Sequence, residues 1–137
     1  MTQSMNRLPG AYRTLFRIAG SMLSPGRRRA SVLCLHYHRV APQADPVFPD
    51  NLDPDRFAAH LDVIRDVFNV LPLEEALDRL DAGTLPVRAA CITFDDGYAD
   101  NCEVALPILR SRGLVATFYV ATGFTARDSG ASGGNMW

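Results

Sequence analysis

Ala89–Phe94 is an apolar, strand-prone run, and it ends in two adjacent carboxylates, Asp95 and Asp96, followed by Gly97. The run reads as a buried strand, and Gly97 frees the backbone for a sharp turn. Folds of the α/β class place their chemistry at the carboxyl ends of such strands. The feature therefore points to a sheet whose buried strand delivers polar groups to one end. Two neighbouring carboxylates repel, so one tends to hold a proton unless a cation is close. A divalent metal would keep both ionised, with one carboxylate ligating and the other moving a proton. The same residues could instead form an Asx-type turn or cap the next helix.

The remaining pattern alternates strands with helices. Residues 31–37 are apolar on both faces and are expected as a central strand of a parallel sheet. Residues 41–49 are a Pro-rich loop. Asp53 is a good N-cap with Pro54 at the first helical position. Phe57, Leu61, Ile64 and Phe68 then follow at helical spacing, giving a helix over 54–67. A short strand at 69–71 precedes a helix over 73–81, which Gly83 stops. After the acidic pair a helix over 99–111 is closed by Gly113, and Pro107 inside it predicts a kink or a restart. A strand at 114–120 leads into Gly- and Ser-rich chain ending at Trp137. Such alternation means βα units and a mainly parallel α/β sheet. Four strands fit either a small open sheet or the first half of a barrel.

At 137 residues the chain is one domain's worth and can bury a core. Its net charge of −1 hides an asymmetry: all 14 basic residues are Arg, and residues 1–44 carry seven of them with no acid. The other seven Arg and all 15 acidic residues lie in 45–137. Residues 1–30 thus read as a basic extension, with an amphipathic helix over 11–23 that places Tyr12, Leu15, Phe16, Ala19, Met22 and Leu23 on one side. A solvated extension is the first expectation for it, and contact with an anionic membrane surface the second. No aromatic-interleaved basic patch points to nucleic acid. Arg17 splits the apolar stretch, so no cleavable secretory signal is visible, and no run approaches a membrane span. Cys34, Cys91 and Cys102 lack metal-type spacing and are expected as core thiols.

His36 and His38 are two apart and share a strand face, so one of them could join Asp95 and Asp96 at the sheet's end. A hydrogen-bonded strand-end histidine is the alternative. His60 is expected at the surface. No HxxxH or HExxH spacing occurs, and no phosphate-binding glycine motif. Tyr98 and Asn101 follow the turn closely and could line a polar cleft, or Asn101 could satisfy backbone groups at the start of its helix.

Thr93-Phe-Asp-Asp-Gly-Tyr98 resembles the first motif of the polysaccharide deacetylases, the NodB-homology group of carbohydrate esterase family 4. Ala105-Leu-Pro-Ile-Leu109 and Ala116-Thr-Phe-Tyr-Val-Ala-Thr-Gly-Phe124 are similar to the helix and strand that follow in that family. His36-Tyr-His-Arg-Val40 resembles the first strand of a bacterial branch, and Asn135-Met-Trp137 the approach to the second motif. The resemblance implies an incomplete deacetylase domain over 31–137, namely the first half of an irregular (β/α) barrel with parallel strands, truncated. It further implies metal-dependent removal of N- or O-acetyl groups from a polysaccharide at the cell envelope, zinc being the expected ion. By that resemblance Asp95 is the general base and Asp96 a metal ligand, while His38, Tyr98 and Asn101 are substrate-pocket candidates. The family's His-Ser/Thr-x-x-His motif and its later motifs are not among these 137 residues. The chain alone is therefore expected to be inactive and to lack a tight zinc site. The alternative is a non-catalytic module of the same origin that binds a glycan or a protein. A receiver-like phosphoacceptor is disfavoured, since the chain has no Lys.

Overall fold

The computed structural model describes residues 12, 14, 15, 17–19, 31–43 and 52–122. The described positions between 12 and 19 are helical, with Tyr12, Leu15 and Ile18 exposed. The rest of the expected 11–23 helix, most of the Pro-rich loop and the Gly- and Ser-rich end lie outside the described residues. No helix among the described residues is long and apolar enough to cross a membrane.

The order of elements is β1 (Leu33–Tyr37), α1 (Pro54–Val67), β2 (Asn69–Val70), α2 (Leu73–Asp81), β3 (Ala89–Phe94), a π-helical turn (Asn101–Ala105), α3 (Leu106–Ser111) and β4 (Thr117–Phe118). All the strand pairs are parallel. Strand β3 is the central one, and all six of its residues are buried. β1 runs along one side of it from Leu33 opposite Ala90 to Tyr37 opposite Phe94. The other side is shared: β2 takes Ala89 and Ala90, and β4 takes Thr93 and Phe94.

Two expectations need correction. β1 is not central: among the described residues it pairs only with β3, and Leu33 is 43% exposed. Two apolar faces record what packs above and below a strand, whereas its place in the sheet is set by crossovers the local sequence does not encode. Strand β4 spans only Thr117–Phe118 and not 114–120. Its early residues are used elsewhere, because the Leu114 N–H closes the end of α3 on Leu109 O at 3.1 Å. In addition, β2 already occupies the first half of that edge of β3.

Local chemistry explains the helix ends. Asp53 Oδ1 accepts from the Arg56 N–H at 2.8 Å, and Pro54 opens α1. Helix α2 ends in a paired motif, with Gly83 N donating to Leu80 O and Thr84 N to Arg79 O. Helix α3 repeats it through Gly113 and Leu114, and both glycines have positive φ. Pro107 has no N–H to give, and the helix accommodates it by widening: the Leu106 N–H reaches back to Asn101 O, and α3 restarts with Pro107 in its first turn.

The core divides by strand parity. Ile92 and Phe94 face Phe57, Leu61 and Ile64 of α1 and Leu109 of α3. Ala89 and Cys91 face the opposite way, against Ala76 of α2 and Leu85. Cys91 is a core thiol as expected, and burial, with the nearby Cys34 as a smaller cause, raises its pKa. Cys34 and Cys102 are exposed, against expectation, because one lies on the partly covered β1 and the other on the outer side of the π turn.

Candidate functional site

Parity also decides what meets at the carboxyl end of the sheet. In a parallel ladder, register partners project to the same face. His36 is opposite Thr93, so the positions two further on, His38 and Asp95, continue on that face. The Asp95 N–H donates to Tyr37 O at 3.0 Å, which fixes the first carboxylate against the end of β1. The His36 Nε2 stands 3.8 Å from Asp95 Oδ2, and the His36 and His38 rings meet edge to face at 4.5 Å. One donor atom from each of His36, His38 and Asp95 lies within 4.8 Å of the others. It is the only grouping of three such donors among the described residues.

Both histidines thus stand beside Asp95, where the sequence allowed that one of them could. The H-x-x-x-H and H-E-x-x-H patterns belong to helices; on a strand the equivalent spacing is H-x-H, which the sequence does show. Asp96 is exposed and stands outside the grouping. Its φ is +69° and that of Gly97 is +70°, so two successive residues in the left-handed region turn the chain. Aspartate tolerates that conformation better than most side chains do.

Beneath the turn, a polar clamp ties the end of β1 to the start of the next helix. Arg39 Nε donates to Asp100 Oδ2 at 2.8 Å, and Asp100 is 5% exposed. The Arg39 guanidinium lies 4.7 Å from the centre of the Tyr98 ring. With its amide oriented to satisfy its neighbours, Asn101 donates to His38 O at 2.9 Å and to Asp100 Oδ1 at 3.3 Å. Asn101 is 3% exposed. Its amide therefore serves the backbone just past the end of β1. Sequence reading missed Arg39 and Asp100, because only the β1–β3 register brings them together.

Tyr98 and Asn101 also line a mainly apolar cavity of about 200 Å³ with Gly97, Cys102, Phe118 and Val120. Its mouth is held close by Gly97. A Cβ there would lie 3.0 Å from Val120 Cγ1 and 3.1 Å from Val120 Cα. Gly83 has nearly the same φ, but nothing lies within 4 Å of a Cβ built on it. Gly83→Ala is expected to cost about 1–2 kcal/mol for the left-handed backbone alone. Gly97→Ala should cost roughly 1–3 kcal/mol more, because the Val120 backbone must move. Urea denaturation of both variants checks this, and equal losses would show that the close approach at Gly97 carries no weight.

These features are similar to those of known proteins. The model of the polysaccharide deacetylase family matches residues 82–131, a span that contains β3, the acidic turn and the π turn. The Bacillus subtilis (strain 168) protein YxkH, assigned by name to the polysaccharide deacetylases, is 36% identical over 66 residues. That alignment takes in 47% of this chain and 24% of YxkH. Among solved structures, a de-N-acetylase from Aggregatibacter actinomycetemcomitans superposes with a TM-score of 0.62 at 26% identity, over 70% of this chain and 39% of that one. The Streptococcus pyogenes deacetylase PplD, solved in complex with acetate, gives 0.61 at 32% identity, over 74% and 47%. The chain thus spans less than half the length of each of these relatives, and its parallel strands form part of the (β/α) barrel of the solved ones. The strand, the turn and these matches together make the chain similar to part of a polysaccharide deacetylase domain.

Proposed function

We infer that the chain carries the acidic-turn portion of a metal-dependent polysaccharide deacetylase that hydrolyses N- or O-acetyl groups of a sugar polymer. The observation that carries this reading is the Asp95–Asp96–Gly97 turn at the carboxyl end of the buried β3, beside two histidines.

Asp95 is assigned as the general base. Its backbone is held by Tyr37 O while its side chain stays half-exposed, so the carboxylate can reach a water molecule without losing its position. Asp96 is assigned as a metal contact by its match to the family's first motif, and its left-handed backbone sets it apart from Asp95. The imidazole and carboxylate donors at this end suit a borderline divalent ion such as zinc. When bound, such an ion acidifies water and polarises the acetyl carbonyl. Arg39, Asp100 and Asn101 hold the two strand ends together, so the base keeps its place as the substrate enters. Tyr98 lines the apolar cavity, and His38 stands on the face where a sugar would approach.

Turnover is assigned to the complete protein and not to the 137 residues by themselves. The test is acetate release from an acetylated chitooligosaccharide by the complete protein. Release that stops with a chelator and returns with zinc is expected. Chelator-resistant release would remove the metal from the reading, and no release from any acetylated glycan would remove the reaction.

A further inference from the structure

We propose that the amino-terminal helix docks the protein on an anionic membrane surface and holds the acidic turn after β3 on the side facing away from the lipid. The docking surface is separate from the reaction proposed above and requires no turnover.

The helix shows an apolar face to solvent. Tyr12, Leu15 and Ile18 are three residues apart, a spacing that sets them along one stripe of a helix, and each is more than half exposed. A solvated extension gains nothing from such a stripe, because it leaves two aliphatic side chains and an aromatic ring in water. The charge names what covers it. Residues 1–30 carry six Arg, at 7, 13, 17, 27, 28 and 29, and no acid. Residues 31–137 carry eight Arg and all 15 acidic residues. An anionic lipid surface supplies both complements at once, headgroups for the guanidinium groups and acyl chains for the apolar stripe. A nucleic acid supplies only the first.

Arg88 fixes where on the fold this helix sits. Its Nε donates to Val67 O at 2.8 Å, its Nη1 donates to Arg17 O at 3.4 Å, and its own carbonyl accepts from the Asn69 N–H at 2.9 Å. The end of α1, the start of β2 and the amino-terminal helix thus meet at the residue that precedes β3. Asp95 follows the other end of that strand. Six residues at roughly 3.3 Å each put the two ends about 20 Å apart. Charges separated by more than a Debye length of about 8 Å are largely screened. The acidic turn is therefore not repelled by the surface that the helix grips, and it opens toward the solution.

The experiment sediments the complete protein with vesicles. Vesicles of phosphatidylglycerol and phosphatidylcholine in equal parts should bind it, and phosphatidylcholine alone should bind it on the order of 100-fold more weakly. Arg27→Gln, Arg28→Gln and Arg29→Gln together should also weaken binding roughly 100-fold. Leu15→Ser and Ile18→Ser should each weaken it about fivefold or more. Both side chains are exposed, so the circular dichroism of these two variants should be unchanged. Deuterium exchange on the vesicles reads the orientation: amides of residues 12–19 should slow, and those of residues 95–102 should not. No binding, equal binding to the neutral vesicles, or binding indifferent to Leu15→Ser and Ile18→Ser would overturn the docking. So would a DNA duplex that binds as tightly as the vesicles with both serine variants unaffected, since the partner would then be nucleic acid. Slowed exchange over residues 95–102 would overturn the orientation. Acetate release in the absence of vesicles reads the deacetylase proposal separately from all of these.

Discussion

Phe94→Ala is expected to destabilise the fold by about 3–5 kcal/mol, the range for truncating a fully buried phenylalanine. Phe94 is 0% exposed and is the last residue of β3 before the acidic turn. Its ring stacks on Tyr37 at 5.3 Å and on Phe118 at 5.0 Å, and meets Phe57 edge-on at 5.8 Å. One side chain thus joins β1, β3, β4 and α1. Removing it opens a cavity in the core, and it also removes aromatic pairings worth roughly 0.5–1.5 kcal/mol each. Small domains are stable by only about 5–15 kcal/mol, so the variant forfeits a large share. Phe94→Leu keeps most of the volume and should lose far less. Urea midpoints at unchanged slope measure both. A loss below about 1 kcal/mol for Phe94→Ala would mean that this face of the sheet is not packed as described.

The same residue shows which parts of the architecture a sequence makes legible. The apolar run to Phe94, the N-cap at Asp53, the stops at Gly83 and Gly113 and the break at Pro107 are local signals. Each appears in the structure at its expected place, because a few neighbouring residues suffice to cap, turn or interrupt a helix. The order of strands is not local. Nothing within residues 31–37 tells that β1 flanks β3, and nothing within 114–120 tells that β2 leaves β4 only two residues of edge. Exposure of Cys34 follows from the same fact, since a thiol on a flanking strand has less to cover it.

The site divides along the same line. That His36 and His38 share a face, and that Asp95 and Asp96 part company at a strand end, follows from a period of two. That Asp95 and not Asp96 lies beside the histidines follows from the register of β1 on β3, which joins residues far apart in the chain. The Arg39–Asp100 pair is hidden for the same reason. Arg39 reads as one more member of a basic arm until the ladder brings it to a buried carboxylate. Family resemblance named the two aspartates without either fact, and so assigned roles to them without giving a cause for the difference.

That difference can be tested with two isosteric changes in the complete protein. Asp95→Asn is expected to lower kcat by about 10²–10⁴, the usual contribution of a general base. Asparagine keeps the shape and leaves the backbone bond to Tyr37 O in place. Stability should therefore stay within about 0.5 kcal/mol, separating this loss from any effect of packing. Asp96→Asn is the matching change. Asparagine, like aspartate, tolerates φ near +69°, whereas alanine would add backbone strain and confuse the result. It should lose activity together with metal, and excess zinc should restore part of the activity. Excess zinc should restore nothing to Asp95→Asn, because a missing base is not replaced by filling a site. If zinc rescues Asp95→Asn and not Asp96→Asn, the roles are exchanged: Asp95 holds the ion during turnover, as its place beside His36 and His38 permits, and the base must be sought at Asp96.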